Sequence, residues 1–98
     1  MVAKVIGMDR VIEGIVTRLG KLDAAYVIDD YAEGKDTGII DLVLVGDIDR
    51  YHLDDLSRKT ERYINRKIRA MVMSSREFEK NRDIFGNRPK LLIWKSEK

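Results

Sequence analysis

The chain has 98 residues, 44% of them hydrophobic, and a formal net charge of +2 with acids and bases well mixed. That size supports one domain with one modest core, and so small a net charge gives no argument for direct nucleic-acid binding by this domain. Cysteine is absent, which excludes disulfides, zinc–thiolate centres and cysteine nucleophiles. No apolar run approaches the roughly 20 residues that span a bilayer. The opening MVAKVIGMDR lacks a long apolar core and a small-residue cleavage site. A single domain over residues 1–98, cytoplasmic and without membrane contact, is the expectation.

Residues 1–7 are mostly apolar and read as a linker from an upstream domain. From Asp9 the pattern turns helical: Met8, Val11, Ile12, Ile15, Val16 and Leu19 recur at three- and four-residue steps. Asp9 suits the start of that helix and Gly20 its end. Ala24 to Ile28 is the first predicted strand and Ile39 to Val45 the second, with Gly46 ending it. The second is apolar on both faces after Asp41, which predicts a central, covered strand. A helix follows from Arg50 to Ile64, terminated by Asn65 in a left-handed conformation. Lys67 to Met73 is the third strand. Ser74 and Glu77 have capping-box spacing for a short helix from Ser75 to about Arg82. Gly86, Asn87 and Pro89 make a turn, and Lys90 to Lys95 is a last strand, placed at an edge by Pro89 and its lysines. The fold class is α+β: a mixed β-sheet with helices packed on it, in the order α-β-β-α-β-α-β.

The segment Tyr26 to Gly46, YVIDDYAEGKDTGIIDLVLVG, carries the most specific signal. Asp41 stands inside a β-branched run, where a carboxylate is costly unless paired, solvated or metal-bound. This arrangement resembles the minimal nucleotidyltransferases, relatives of the DNA polymerase β palm, and the resemblance implies a palm-like sheet. The family pattern is an apolar strand, Gly-Ser, an Ala-x-Gly turn and Asp-x-Asp on the next strand. Two carboxylates two apart on a strand share one face and can hold Mg²⁺ with substrate phosphates.

Carried over residue by residue, the family's Gly-Ser falls on Asp29 and Asp30, which would repel a triphosphate. Tyr31, Ala32, Glu33 and Gly34 fit the turn, and Lys35, Asp36 and Thr37 lead on to the second strand. The first acid of the pair is Ile39, and only Asp41 remains. The third acid belongs on a neighbouring strand, where this chain offers Arg69 and Met71. Asp41 is thus a weak metal candidate at most. Hydrogen bonds from the turn, or pairing with Arg69 on the neighbouring strand, explain it better, because one carboxylate seldom holds Mg²⁺. No cofactor is expected, with Mg²⁺ and a nucleotide only if the chain is an active transferase.

The stretches IIDLVLVGDID and NRKIR are also similar to the C-terminal domain of ArsR-like winged-helix bacterial regulators. That likeness implies a non-catalytic sensor or dimerisation module, with DNA bound by an upstream domain and a homodimer as the expected partner. The alternatives are an active minimal nucleotidyltransferase and an antitoxin-like partner of a HEPN-type toxin. Pocket-lining candidates are Asp29, Asp30, Tyr31, Gly34, Asp36 and Arg69. Asp29, Asp30 and Asp36 read either as a new acidic cluster or as ordinary turn residues. Asp47 and Asp49 read as helix caps, and His52 as an exposed first-turn residue. Arg66, Lys67 and Arg69 suit one wet face of a strand, and Trp94 suits packing on an edge strand.

Overall fold

The computed structural model describes residues 20–96, without the side chains of Ile84 and Phe85. The helix expected from Asp9 and the linker reading of residues 1–7 lie outside the described residues. Strands β1 (Gly20–Ile28), β2 (Ile39–Ile48), β3 (Lys67–Met73) and β4 (Lys90–Lys95) form one sheet in the order β3-β2-β1-β4. β1 pairs antiparallel with β2 and with β4, while β2 and β3 are parallel. A parallel pair needs a long crossover, and helix α1 (Arg50–Ile64) supplies it. Two short helices, α2 (Ser75–Lys80) and α3 (Arg82–Gly86), lead into β4. A 3₁₀ turn at Asp29–Glu33 leaves β1. The architecture is α+β with a mixed sheet. Among the described residues no helix is long and apolar enough to cross a membrane.

The sheet separates two apolar clusters. Ile40, Leu42 and Leu44 of β2 join Ala25 and Val27 of β1 on the face that receives Leu53 and Ile64 of α1. Val43 and Val45 turn to the other face, with Ala24, Ile28 and Met73, against Phe78 of α2. Leu42, Val43 and Leu44 are at most 1% exposed, and each such side chain contributes about 1.5–3 kcal/mol through burial. The expected double-faced burial of β2 is therefore observed, as is the edge position of β4. The Tyr26 and Phe78 rings stack at 5.2 Å with Lys90 Nζ above both.

Local signals act as their chemistry requires. Asp49 caps α1, accepting from Tyr51 N at 3.0 Å and His52 N at 3.4 Å. Asn65 closes it at φ 56°. Ser74 and Glu77 form a reciprocal capping box on α2.

Three boundaries differ from the sequence reading. β1 begins at Gly20 rather than at Ala24. β2 does not stop at Gly46 but runs to Ile48. Gly46 sits there at φ 153°, opposite a break in register between Leu22 and Ala24. A Cβ at Gly46 would lie 2.2 Å from the Lys21 carbonyl oxygen, so the glycine permits close strand approach rather than a stop. The helix expected to end near Arg82 is two short helices, with Asn81 between them and Gly86 as the last residue of the second.

Candidate functional site

Asp41 lies two residues before Val43 and shares its face of the sheet. Parallel pairing sets it opposite Arg69 on β3. The guanidinium meets the carboxylate with two bonds, Nε to Oδ1 at 2.7 Å and Nη2 to Oδ2 at 3.0 Å, the bidentate geometry of a strong charge-assisted pair. Asp41 is the more enclosed partner, with its side chain 21% exposed against 62% for Arg69. The bond to Asp41 pushes the Arg69 guanidinium further toward its charged form. Ile39, two residues earlier, places a half-buried alkyl chain beside Asp41. Of the two readings that the sequence leaves open for Asp41, the pairing with Arg69 is the one present.

A second pair stands where β1 ends. Asp29 adopts φ 64° to enter the 3₁₀ turn, a conformation that aspartate tolerates better than most residues. Its N–H donates to the Pro89 carbonyl at 2.9 Å. Its carboxylate accepts from Arg88 Nε at 2.9 Å and also from Arg88 Nη2. The hydrogen bond from Arg88 holds the Asp29 carboxyl below its ordinary range against the opposing effect of burial, and Arg69 adds a smaller attraction. Arg88 in turn feels Asp41. The two pairs thus lie within electrostatic reach of each other.

The loop between β1 and β2 is fixed by a third pair. Asp36 accepts from Arg66 Nε at 2.9 Å and from its Nη2, while its Oδ1 accepts from Gly38 N at 3.1 Å. These bonds, Arg66 first, lower its carboxyl. Arg66 also donates to the Ile64 carbonyl at 3.0 Å, anchoring the loop to the end of α1. Asp30 is exposed, and its carbonyl accepts from Lys35 N at 2.9 Å. Gly34 closes the 3₁₀ turn at φ 83°. Tyr31, read as pocket-lining, packs with Ala32 against the α1-side core.

The structure therefore brings Asp41 and Arg69 together and distributes the acids of the loop. Asp29 and Asp36 each carry an arginine of their own, so Asp29, Asp30 and Asp36 do not converge as one carboxylate site. Among the described residues, no group of three or more His, Cys, Asp or Glu is placed to hold a metal. Ile39, Asp41 and Arg69 do not fit a Mg²⁺ pair, because an alkyl chain and a guanidinium stand beside the one carboxylate. Asp47 and Asp49 are not a metal pair either: Asp49 is the cap, and its Oδ2 lies 2.7 Å from His52 Nδ1 on the surface. Trp94 is half-buried against the α1-side core.

Sequence reasoning missed Arg88 as the partner of Asp29 and Arg66 as the partner of Asp36. No local pattern marks either contact, since each joins segments far apart in the chain. It also missed an open cleft of about 360 Å³ at the carboxyl ends of β2 and β3. Gly46, Arg50, Asp23 and Ser75 are among its walls, and Ser75 Oγ donates to Asp23 Oδ2 at 3.0 Å. In the sequence, Gly46, Met73, Ser74 and Glu77 of its walls read as a strand end or a helix cap, and Asp23 carries no signal. Compared with known proteins, the chain matches no family model, no curated protein and no solved structure.

Proposed function

We propose that the chain is a non-catalytic nucleotidyltransferase-like module, serving as the sensor or dimerisation domain of a bacterial transcriptional regulator whose DNA contacts belong to an upstream domain. The carrying observation is the bidentate Asp41–Arg69 pair. In a catalytic palm the neighbouring strand contributes an acid, and metal ions offset the collected negative charge. Here the neighbouring strand contributes a cation, and the remaining carboxylate is offset from within the chain. Asp29 stands where a phosphate-binding glycine would and is likewise engaged by Arg88. This exchange of metal-binding acids for internal ion pairs supports a scaffold that has left phosphoryl transfer. The regulatory half of the reading rests on the likeness of IIDLVLVGDID and NRKIR to such regulators, and a winged-helix segment encoded upstream in the same reading frame would support it.

Calorimetry and thermal melting with ATP and Mg²⁺ test the non-catalytic half. The expected result is no Mg²⁺-dependent stabilisation by ATP, in the natural chain or in Asp41→Ala. Stabilisation that needs Mg²⁺ and vanishes in Asp41→Ala would overturn the reading in favour of an active transferase.

A further inference from the structure

The outer edge of β3 is closed by two side chains of α1. β3 is an end strand of the sheet. The Lys67 N–H donates to the Gly38 carbonyl at 2.8 Å, on the side of β2. Backbone groups of successive residues alternate sides along a strand, so those of Ile68, Ala70 and Val72 face outward. Glu61 Oε2 takes the Ile68 N–H at 2.7 Å. Arg50 Nη2 donates to the Val72 carbonyl at 3.1 Å. The spacings match: Arg50 and Glu61 are about 16 Å apart along the helix, and Ile68 and Val72 about 13 Å apart along the strand.

We propose that Arg50 and Glu61 are gatekeepers that keep β3 from pairing with the β3 of a second copy of this chain. An antiparallel pair centred on Ala70 would set Ile68 opposite Val72, Arg69 opposite Met71 and Lys67 opposite Met73 of the other copy. No like charges then face each other, and the Ile–Val contact is of the kind that stabilises sheets. In that pairing the Ile68 N–H of one copy goes to the Val72 carbonyl of the other. Those are the two groups that α1 occupies. Among the described residues the middle of the strand carries no such guard, and Ala70 is exposed and Met71 46% exposed. Closure therefore depends on the two polar side chains at its ends. This holds whether or not the regulatory reading does.

The test is sedimentation velocity over a concentration series, with circular dichroism to follow the fold. The Arg50→Ala/Glu61→Ala variant is expected to self-associate at least about tenfold more tightly than the natural chain. Adding Ala70→Pro, which removes an outward donor at a position where an edge strand accepts proline, should return association to the natural level. Glu61→Gln keeps an accepting oxygen and should behave as the natural chain, whereas Glu61→Ala alone should shift toward association. Where the double variant folds poorly, its concentration-dependent aggregation should be suppressed by Ala70→Pro. Equal association of the folded double variant and the natural chain overturns the proposal, as does association or aggregation indifferent to Ala70→Pro.

Discussion

At Gly46 a single missing carbon determines how closely two strands approach. The Cβ of any other residue would meet a backbone oxygen, which cannot rotate away as a flexible side chain can. Gly46→Ala is therefore expected to destabilise the fold by about 2 kcal/mol or more, read as a lower urea midpoint. A variant as stable as the natural chain would mean that β1 and β2 can separate there at little cost. The sequence marks Gly46 but not its role, because a glycine after an apolar run reads equally as a strand stop and as a close approach. Asp41 was more legible. A carboxylate amid β-branched residues demands a partner, and Arg69 on the next strand was the nearest suitable cation. Arg88 and Arg66 were not legible, because their acids lie in a loop whose composition fits free solvation.

Among the elements, those with terminal signals were read closely. α1 starts at Asp49 and ends at Asn65, each with a side chain or conformation suited to its place. The start of α2 was read from Ser74 and Glu77, and both halves of that box are formed: Glu77 N to Ser74 Oγ at 3.1 Å, and Ser74 N to Glu77 Oε1 at 2.9 Å. Bonding to Ser74, chiefly its backbone N–H, holds the Glu77 carboxyl below its usual range. Ser74→Ala should cost about 1 kcal/mol of stability in chemical denaturation, and Ser74→Asp, which keeps an accepting oxygen, much less. Equal losses in the two variants would show that the cap contributes little. The end of α2 was less legible, because nothing near Asn81 forces a stop and the chain re-enters a helix at Arg82. The strands were read by composition, and β1 was under-read at its start because Gly20, Lys21 and Asp23 look like turn residues. Pairing with Asp47 and Ile48 extends it regardless.

Across the whole molecule, the Asp29–Arg88 and Asp36–Arg66 pairs fasten the β1–β2 loop to the entrances of both outer strands, β4 and β3. Both acids have native values below the ordinary 3.8. Their stabilising contribution is therefore complete above the unfolded value and is lost as pH falls through the lowered native values. Melting temperature should hold steady from neutral pH down to about pH 5 and fall below it. Asp29→Asn/Asp36→Asn should melt lower than the natural chain at neutral pH, with the gap narrowing in acid. A gap of constant size down to about pH 2 would mean that the two pairs do not contribute to the acid response.

β2 presents well-covered alkyl side chains to both sides of the sheet, and this bears on how the chain finds its alignment. In a strand with one oily and one wet face, sliding by one residue exposes the oil and is penalised at once. From Leu42 to Val45 that penalty is weak, since either parity buries aliphatic carbon. The task of telling the correct alignment from its neighbour passes to the positions that break the monotony. One is the carboxylate at Asp41, which finds its guanidinium in only one alignment. The other is the bare α-carbon at Gly46, which alone leaves room for the Lys21 carbonyl in the observed alignment. Asp41 would then act as an index mark for strand alignment.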